Sequence, residues 1–148
     1  MTEIRFYHLT RNSLEETLPS LLEKVIERSM RAVVMAGSPE RVEALTRHLW
    51  AYKDHGFLPH GSAEDGYAED QPIWLTEKDE NPNGAKVLML TDGATSNHLK
   101  DFDLVCEVFS DGNPAAVEAS RARWQEYKTQ GFALTYWQQK ESGWEKVQ

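Results

Sequence analysis

The chain has 148 residues, 40% of them hydrophobic and 27% charged, a length and balance that suit one folded domain over residues 1–148 and exclude a disordered chain. A formal net charge of −8 opposes broad binding to a nucleic-acid backbone, so any anionic partner has to meet a local basic patch. The start, Met1 to Tyr7, has no long apolar run of the signal-peptide kind, and no later stretch is long enough to span a bilayer, so the expected compartment is the cytoplasm.

Strand-like and helix-like segments alternate along the sequence. Ile4 to Leu9 has the length and aromatic content of a first strand, and Leu14, Leu18, Leu21, Leu22, Val25 and Ile26 then recur at helical spacing. Ser13 with Glu16 spells a capping box, but a helix starting there encloses Pro19; a start at Thr17 or Leu18 would instead put the proline in the first turn. Arg31 to Ala36 follows as a short apolar strand. Gly37-Ser38-Pro39-Glu40 then supplies a turn, an N-cap, a proline at the first helical position and an early acid, so a second helix begins there and ends near Lys53 to Gly56.

The middle is less regular. Gly61 to Asp70 and Glu77 to Gly84 read as acidic, glycine-containing loops, with Pro72 to Thr76 a short strand between them. Val87 to Leu90 and Leu104 to Phe109 read as largely buried strands, while Phe132, Leu134 and Tyr136 alternate as an exposed-face or edge strand does. This order predicts a single-domain, Rossmann-like three-layer α/β fold, a mostly parallel sheet flanked by helices. The final Gly143 to Gln148 segment fits either an extra strand or a mobile end. Cys106, the sole cysteine, excludes an intrachain disulfide and is expected to be an inert, buried thiol.

The enzyme signals are each weak. The strand-turn-helix at Met35 to Arg41 has one glycine, no P-loop lysine, and a proline that removes an amide donor. His48, His55 and His60 with Asp54 match no standard zinc spacing. Asp92 with Asp101 or Asp103 offers paired carboxylates, yet Thr91-Asp92-Gly93 is also a plain strand end and turn. A nucleotide- or flavin-binding enzyme using the sheet's carboxyl edge near Gly37, Asp92 and Asp111 is therefore the alternative reading, and direct binding of single-stranded DNA the weakest.

The last helix is more specific. Asn113-Pro114 opens it, Gly131 suits its C-cap, and helical spacing puts Val117, Arg121, Trp124 and Lys128 along one stripe with Gln125 beside Arg121. Two readings of that face stand side by side. In one, Trp124 and Tyr127 pack in the core while the basic residues are solvated; in the other, the face captures an acidic peptide end.

The chain resembles the chi subunit family of bacterial DNA polymerase III. The likeness is carried by Phe6-Tyr7 with Leu9; Leu49-Trp50 followed by Phe57-Leu58-Pro59-His60-Gly61; Gln71-Pro72-Ile73-Trp74-Leu75; and Arg121-Ala122-Arg123-Trp124 with Tyr127-Lys128, Gly131-Phe132 and Leu134 to Trp137. It implies a small, mostly parallel α/β domain without catalytic residues, cofactor or metal. It further implies a grip on the acidic, phenylalanine-ended C-terminal tail of single-stranded-DNA-binding protein and, in some bacteria, docking to the psi subunit of the clamp loader. Carried over position by position, Arg121 pairs with the tail's terminal carboxylate, Val117 and Trp124 wall the pocket for the terminal ring, and Lys128 and Arg123 attract the acidic residues upstream. Val117 and Gln125 stand where better-known relatives carry lysine, which thins the basic path. Trp50, Phe57, Pro59 and His60 match the region used for psi, though the same residues also suit a helix-to-loop junction.

Overall fold

The computed structural model describes residues 2–51, 60–62, 66–141 and 143–148. Its elements in chain order are β1 (Glu3–Leu9), α1 (Leu14–Glu27), β2 (Ala32–Met35), α2 (Pro39–Ala51), β3 (His60–Gly61), β4 (Ile73–Thr76), β5 (Val87–Leu90), β6 (Leu104–Ser110), α3 (Pro114–Thr129), β7 (Ala133–Lys140) and β8 (Gly143–Lys146). The strands form one sheet in the order β3-β4-β2-β5-β6-β1-β7-β8, with every neighbouring pair parallel except β7 with β8. This is the mostly parallel, helix-flanked sheet expected from the alternation of apolar runs.

Strand alternation divides the core in two. Tyr7, Leu9, Val34, Met89 and Cys106 face Leu18, Leu22 and Val25 of α1 and Val42, Leu45 and Leu49 of α2. Ile4, Phe6, Val33, Leu88 and Val105 face the other way, where α3 brings Tyr127 and the half-buried Val117 and Trp124. With α1 and α2 on one face and Ala85, Leu99 and Phe102 in the cluster on the other, the central strands β2 and β5 are buried along their whole length.

Helix α1 takes the earlier of its two starts. Ser13 Oγ accepts from the Glu16 amide at 3.2 Å, and Glu16 Oε1 accepts from the Ser13 amide at 3.1 Å. The reciprocal cap satisfies two donors at once, and Pro19, inside the helix and buried, lacks only the one amide that would have bonded back to Glu15. At α2, Ser38 Oγ accepts from the Arg41 amide at 3.2 Å with Pro39 in the first position, as the sequence predicts. Gly37 lies against the Asp92 side chain: a β-carbon there would stand 3.1 Å from Asp92 Cβ, so the close approach of the two turns favours a glycine.

The C-terminal segment is a strand. Residues of β8 pair antiparallel with β7, Gln139 opposite Trp144, and the Trp144 ring meets Tyr7 edge-on at 4.9 Å. Strand β7 is thus not the sheet's edge. Beyond β8 the chain stays beside β7, with the Val147 amide donating to the Tyr136 carbonyl at 2.7 Å and the Tyr136 amide to the Gln148 carbonyl at 3.1 Å.

Candidate peptide-binding site

Helix α3 owes its position to its ends and to one apolar face. Asn113 Oδ1 accepts from the Ala116 amide at 3.2 Å, Pro114 follows, and Gly131 at φ +88° closes the helix and turns the chain into β7. Trp124 packs edge-on to Phe6 of β1 at 5.2 Å and to Tyr136 of β7 at 6.1 Å, so the indole bridges α3 and the sheet while remaining part-exposed.

At this junction a cavity of about 380 Å³ is lined by Ser120, Arg121, Trp124, Gln125, Tyr136, Val147 and Gln148. Two of the stripe residues named from the sequence, Arg121 and Trp124, come together there with Gln125, the residue placed beside Arg121. Val117 is half-buried in the core cluster beneath α3, and Lys128 is exposed farther along the helix; neither lines the cavity. Sequence reasoning missed Tyr136, Val147, Gln148 and the buried Ser120. The alternation of β7 was the only signal for Tyr136, since the register of β7 against α3 is a tertiary fact.

The charge of Arg121 is uncommitted among the described residues. Arg5, Arg11, Arg41, Arg47 and Arg123 all form ion pairs with carboxylates, and Arg31 bonds the carbonyls of Glu69 and Asn83. Arg121 has no such carboxylate partner and stands at the rim of a cavity whose other walls include two rings and the half-exposed Val147. A free guanidinium over an apolar recess suits a ligand that ends in an anion beside a large apolar group.

Arg123 proves different from its neighbour. Its Nε donates to both carboxylate oxygens of Glu107 at 2.9 Å each, and Glu107 is buried in β6. Burial pushes the Glu107 carboxyl up, and the guanidinium draws it back toward ionisation. The expectation that Arg123 attracts acidic residues of a ligand is therefore corrected: its charge is taken by the core.

Behind the cavity runs a hydrogen-bonded chain. The Tyr136 hydroxyl lies 2.7 Å from His8 Nδ1, and His8 Nε2 lies 2.9 Å from Asp111 Oδ1, with the buried imidazole stacked on Phe109 at 4.8 Å. Burial raises the Tyr136 phenol above its ordinary value, the Arg121 charge lowers it, and Asp111 raises it.

The carboxyl edge of the sheet holds a second recess, about 590 Å³, between the starts of α1 and α3. Its one guanidinium, Arg41, is bound by Asp92 at 3.1 Å and Glu15 at 2.8 Å, and Asp92 also accepts from the Gly37 amide. Both helix N-termini facing it are capped by their own side chains, Ser13 and Asn113. Two carboxylates on one arginine, with one amide at each helix start already capped, oppose the phosphates of a nucleotide or flavin.

Of the residues matched to psi docking, Trp50 falls in the last turn of α2, and Phe57 and Pro59 lie outside the described residues, as do Asp54 and His55 of the zinc spacing. His60 is buried, its Nε2 3.2 Å from the Thr46 carbonyl, and so braces β3 against α2. Among the described residues no helix is long and apolar enough to cross a membrane.

The sheet and its two helical layers define a doubly wound, three-layer α/β protein. Residues 1–135 match the family described as DNA polymerase III chi subunit, HolC, and the chain belongs to that family. It is 30% identical over 105 residues to the probable DNA polymerase III subunit chi of Rickettsia prowazekii (strain Madrid E), a match covering 69% of this chain and 64% of that protein. It is also 23% identical over 137 residues to the DNA polymerase III subunit chi of Pseudomonas aeruginosa (strain PAO1), covering 90% of this chain and 94% of the relative.

Proposed function

We propose that this protein is a non-catalytic, cytoplasmic accessory subunit of the replicative DNA polymerase, working as one domain over residues 1–148 without a cofactor. It binds the acidic C-terminal tail of single-stranded-DNA-binding protein in the Arg121 cavity and, where psi is present, links that protein to the clamp loader through the segment that holds Trp50, Phe57, Pro59 and His60. The observation that carries the reading is Arg121, without a carboxylate partner among the described residues, lining a recess with Trp124, Tyr136 and Val147. The guanidinium takes the tail's terminal carboxylate, the recess takes the terminal phenylalanine ring, and Gln125 and Lys128 meet the residues upstream. Family membership supports the reading as a polymerase III subunit.

Titration of a fluorescent acidic peptide, ending in phenylalanine with a free carboxylate, against wild type and Arg121→Ala tests this. Loss of the guanidinium is expected to weaken binding by about 1.5 to 3 kcal/mol, the range for hydrogen bonds to charged groups. Equal affinity of the two proteins would overturn the site, and absence of binding by either would overturn the tail as partner.

A further inference from the structure

We propose that the Tyr136 hydroxyl is a second binding group for the peptide carboxylate held by Arg121, and that His8 decides whether it faces that carboxylate as a donor or as an acceptor. The inference rests on the carboxylate-binding reading above and adds to it two residues, one of them remote from the ligand. Tyr136, Val147 and Gln148, which form this wall of the cavity, follow the residues 1–135 matched to the family.

The hydrogen-bond chain fixes the tautomer. An ionised Asp111 only accepts, so His8 Nε2 must carry a hydrogen to meet it at 2.9 Å. In the neutral ring Nδ1 is then bare, and at 2.7 Å it accepts the Tyr136 hydroxyl hydrogen. Tyr136 lines the cavity, and a phenol whose hydrogen is engaged in this way has only lone pairs left for a carboxylate that itself offers only lone pairs. When His8 takes one proton from solvent at Nδ1, that nitrogen becomes the donor, and the hydroxyl hydrogen is released toward the cavity to meet the ligand's oxygen. Carboxylate binding therefore carries proton uptake with it.

The groups around His8 suit this exchange. Asp111, from the turn after β6, stabilises the imidazolium directly, and its side chain is 61% exposed, which gives the ring a path to solvent. Phe109 of β6 stacks on the ring, Gln138 is the partner across β7, and the carboxylate of Glu107 is already held by Arg123. Arg121 of α3 is the cation that acts on the Tyr136 phenol. Ligand and proton thus favour each other, with Tyr136 as the contact and His8 as the positioning residue.

The test is the affinity of the phenylalanine-ended peptide at pH 6 and pH 8, at constant ionic strength, as the free acid and as the C-terminal amide. The peptide's own carboxylates titrate below this window. Wild type is expected to bind the free acid about tenfold tighter at pH 6, the size of one hydrogen bond to a charged group, and the amide with no such gain. Tyr136→Phe and His8→Gln should each abolish the pH gain, while Arg121→Ala should be weak at both pH values. An undiminished gain in Tyr136→Phe, or an equal gain with the amide, overturns the inference while leaving the Arg121 site standing. The amide arm needs no variant and so decides even if His8→Gln misfolds. No binding by wild type at either pH overturns both.

Discussion

Arg121 and Arg123, two residues apart in α3, face different worlds: Arg123 holds the buried Glu107 through both carboxylate oxygens at 2.9 Å, and Arg121 stands over a cavity with no carboxylate partner among the described residues. A helix turns about 100° per residue, so a two-residue step puts successive arginines on nearly opposite sides. One became structural and the other remained available for recognition.

Removing Arg123 tests the structural half of that division. Arg123→Ala leaves Glu107 buried beside Tyr127 with no cation, and stability in urea is expected to fall by about 3 to 5 kcal/mol. The sign with pH follows from the raised carboxyl. With its folded value above its unfolded one, Glu107 binds protons more readily in the folded state, so this variant should regain stability as pH falls through the folded value. The double variant Glu107→Leu with Arg123→Met should recover most of the loss. A single variant as stable as wild type would show that the pair contributes nothing.

Cys106 is expected to be silent in the native protein. It lies 2% exposed between the β1 and β5 strands, and burial pushes its thiol up to about 12. A thiol reagent at pH 8 should leave the folded chain unlabelled and titrate one thiol after unfolding in urea. Rapid native labelling would mean that the sheet opens locally around β6.

The main strands were legible in the sequence because each is a short apolar run of strand length. Ile4 to Leu9, Val87 to Leu90 and Leu104 to Phe109 announce buried strands by composition, and Asn113-Pro114 and Gly131 announce the ends of α3. What was not legible depends on contacts distant in sequence. Spacing puts Arg121 and Arg123 on a helix but says nothing of Glu107, a lone acid in an apolar strand whose partner sits 16 residues on. The same holds for Tyr136, whose link to His8 crosses 128 residues, and for Val147, which reaches the cavity only because β8 pairs with β7. Ser13 and Glu16 did state the start of α1, but Pro19 argued against it locally, and only the burial of that proline beside Leu18 shows why the helix tolerates it.

Trp144 should couple the stability of β8 to the binding site. Its indole packs on Tyr7 and the α1 side of the core, while Val147, three residues on, walls the Arg121 cavity on the other side of the sheet. Trp144→Ala is expected to cost about 1 to 2 kcal/mol in urea unfolding, an aromatic pair plus partial burial. It should also weaken the tail peptide several-fold, because an undocked β8 no longer holds Val147 in place. Full affinity in a destabilised variant would show that the wall stands without β8.

Gln125 offers a gain of function. It lines the cavity one turn after Arg121 and is exposed, so Gln125→Lys adds a cation facing the acidic stretch of the tail without disturbing the core. Val117 is not equivalent, because its side chain packs in the cluster with Phe6 and Tyr127, and a lysine there must lead its stem out along α3. Gln125→Lys is therefore expected to tighten tail binding by about 0.2 to 1 kcal/mol at 0.05 M salt, the range for exposed charge pairs, and Lys128→Glu to weaken it by a similar amount. Both effects should shrink as the salt rises to 0.5 M and the screening length falls to a few ångströms, whereas the Arg121→Ala loss should persist because its contact is direct. Peptide titrations of the three variants across that salt range check the division. If Gln125→Lys leaves affinity unchanged at low salt, the tail's acidic residues do not pass over this turn of α3.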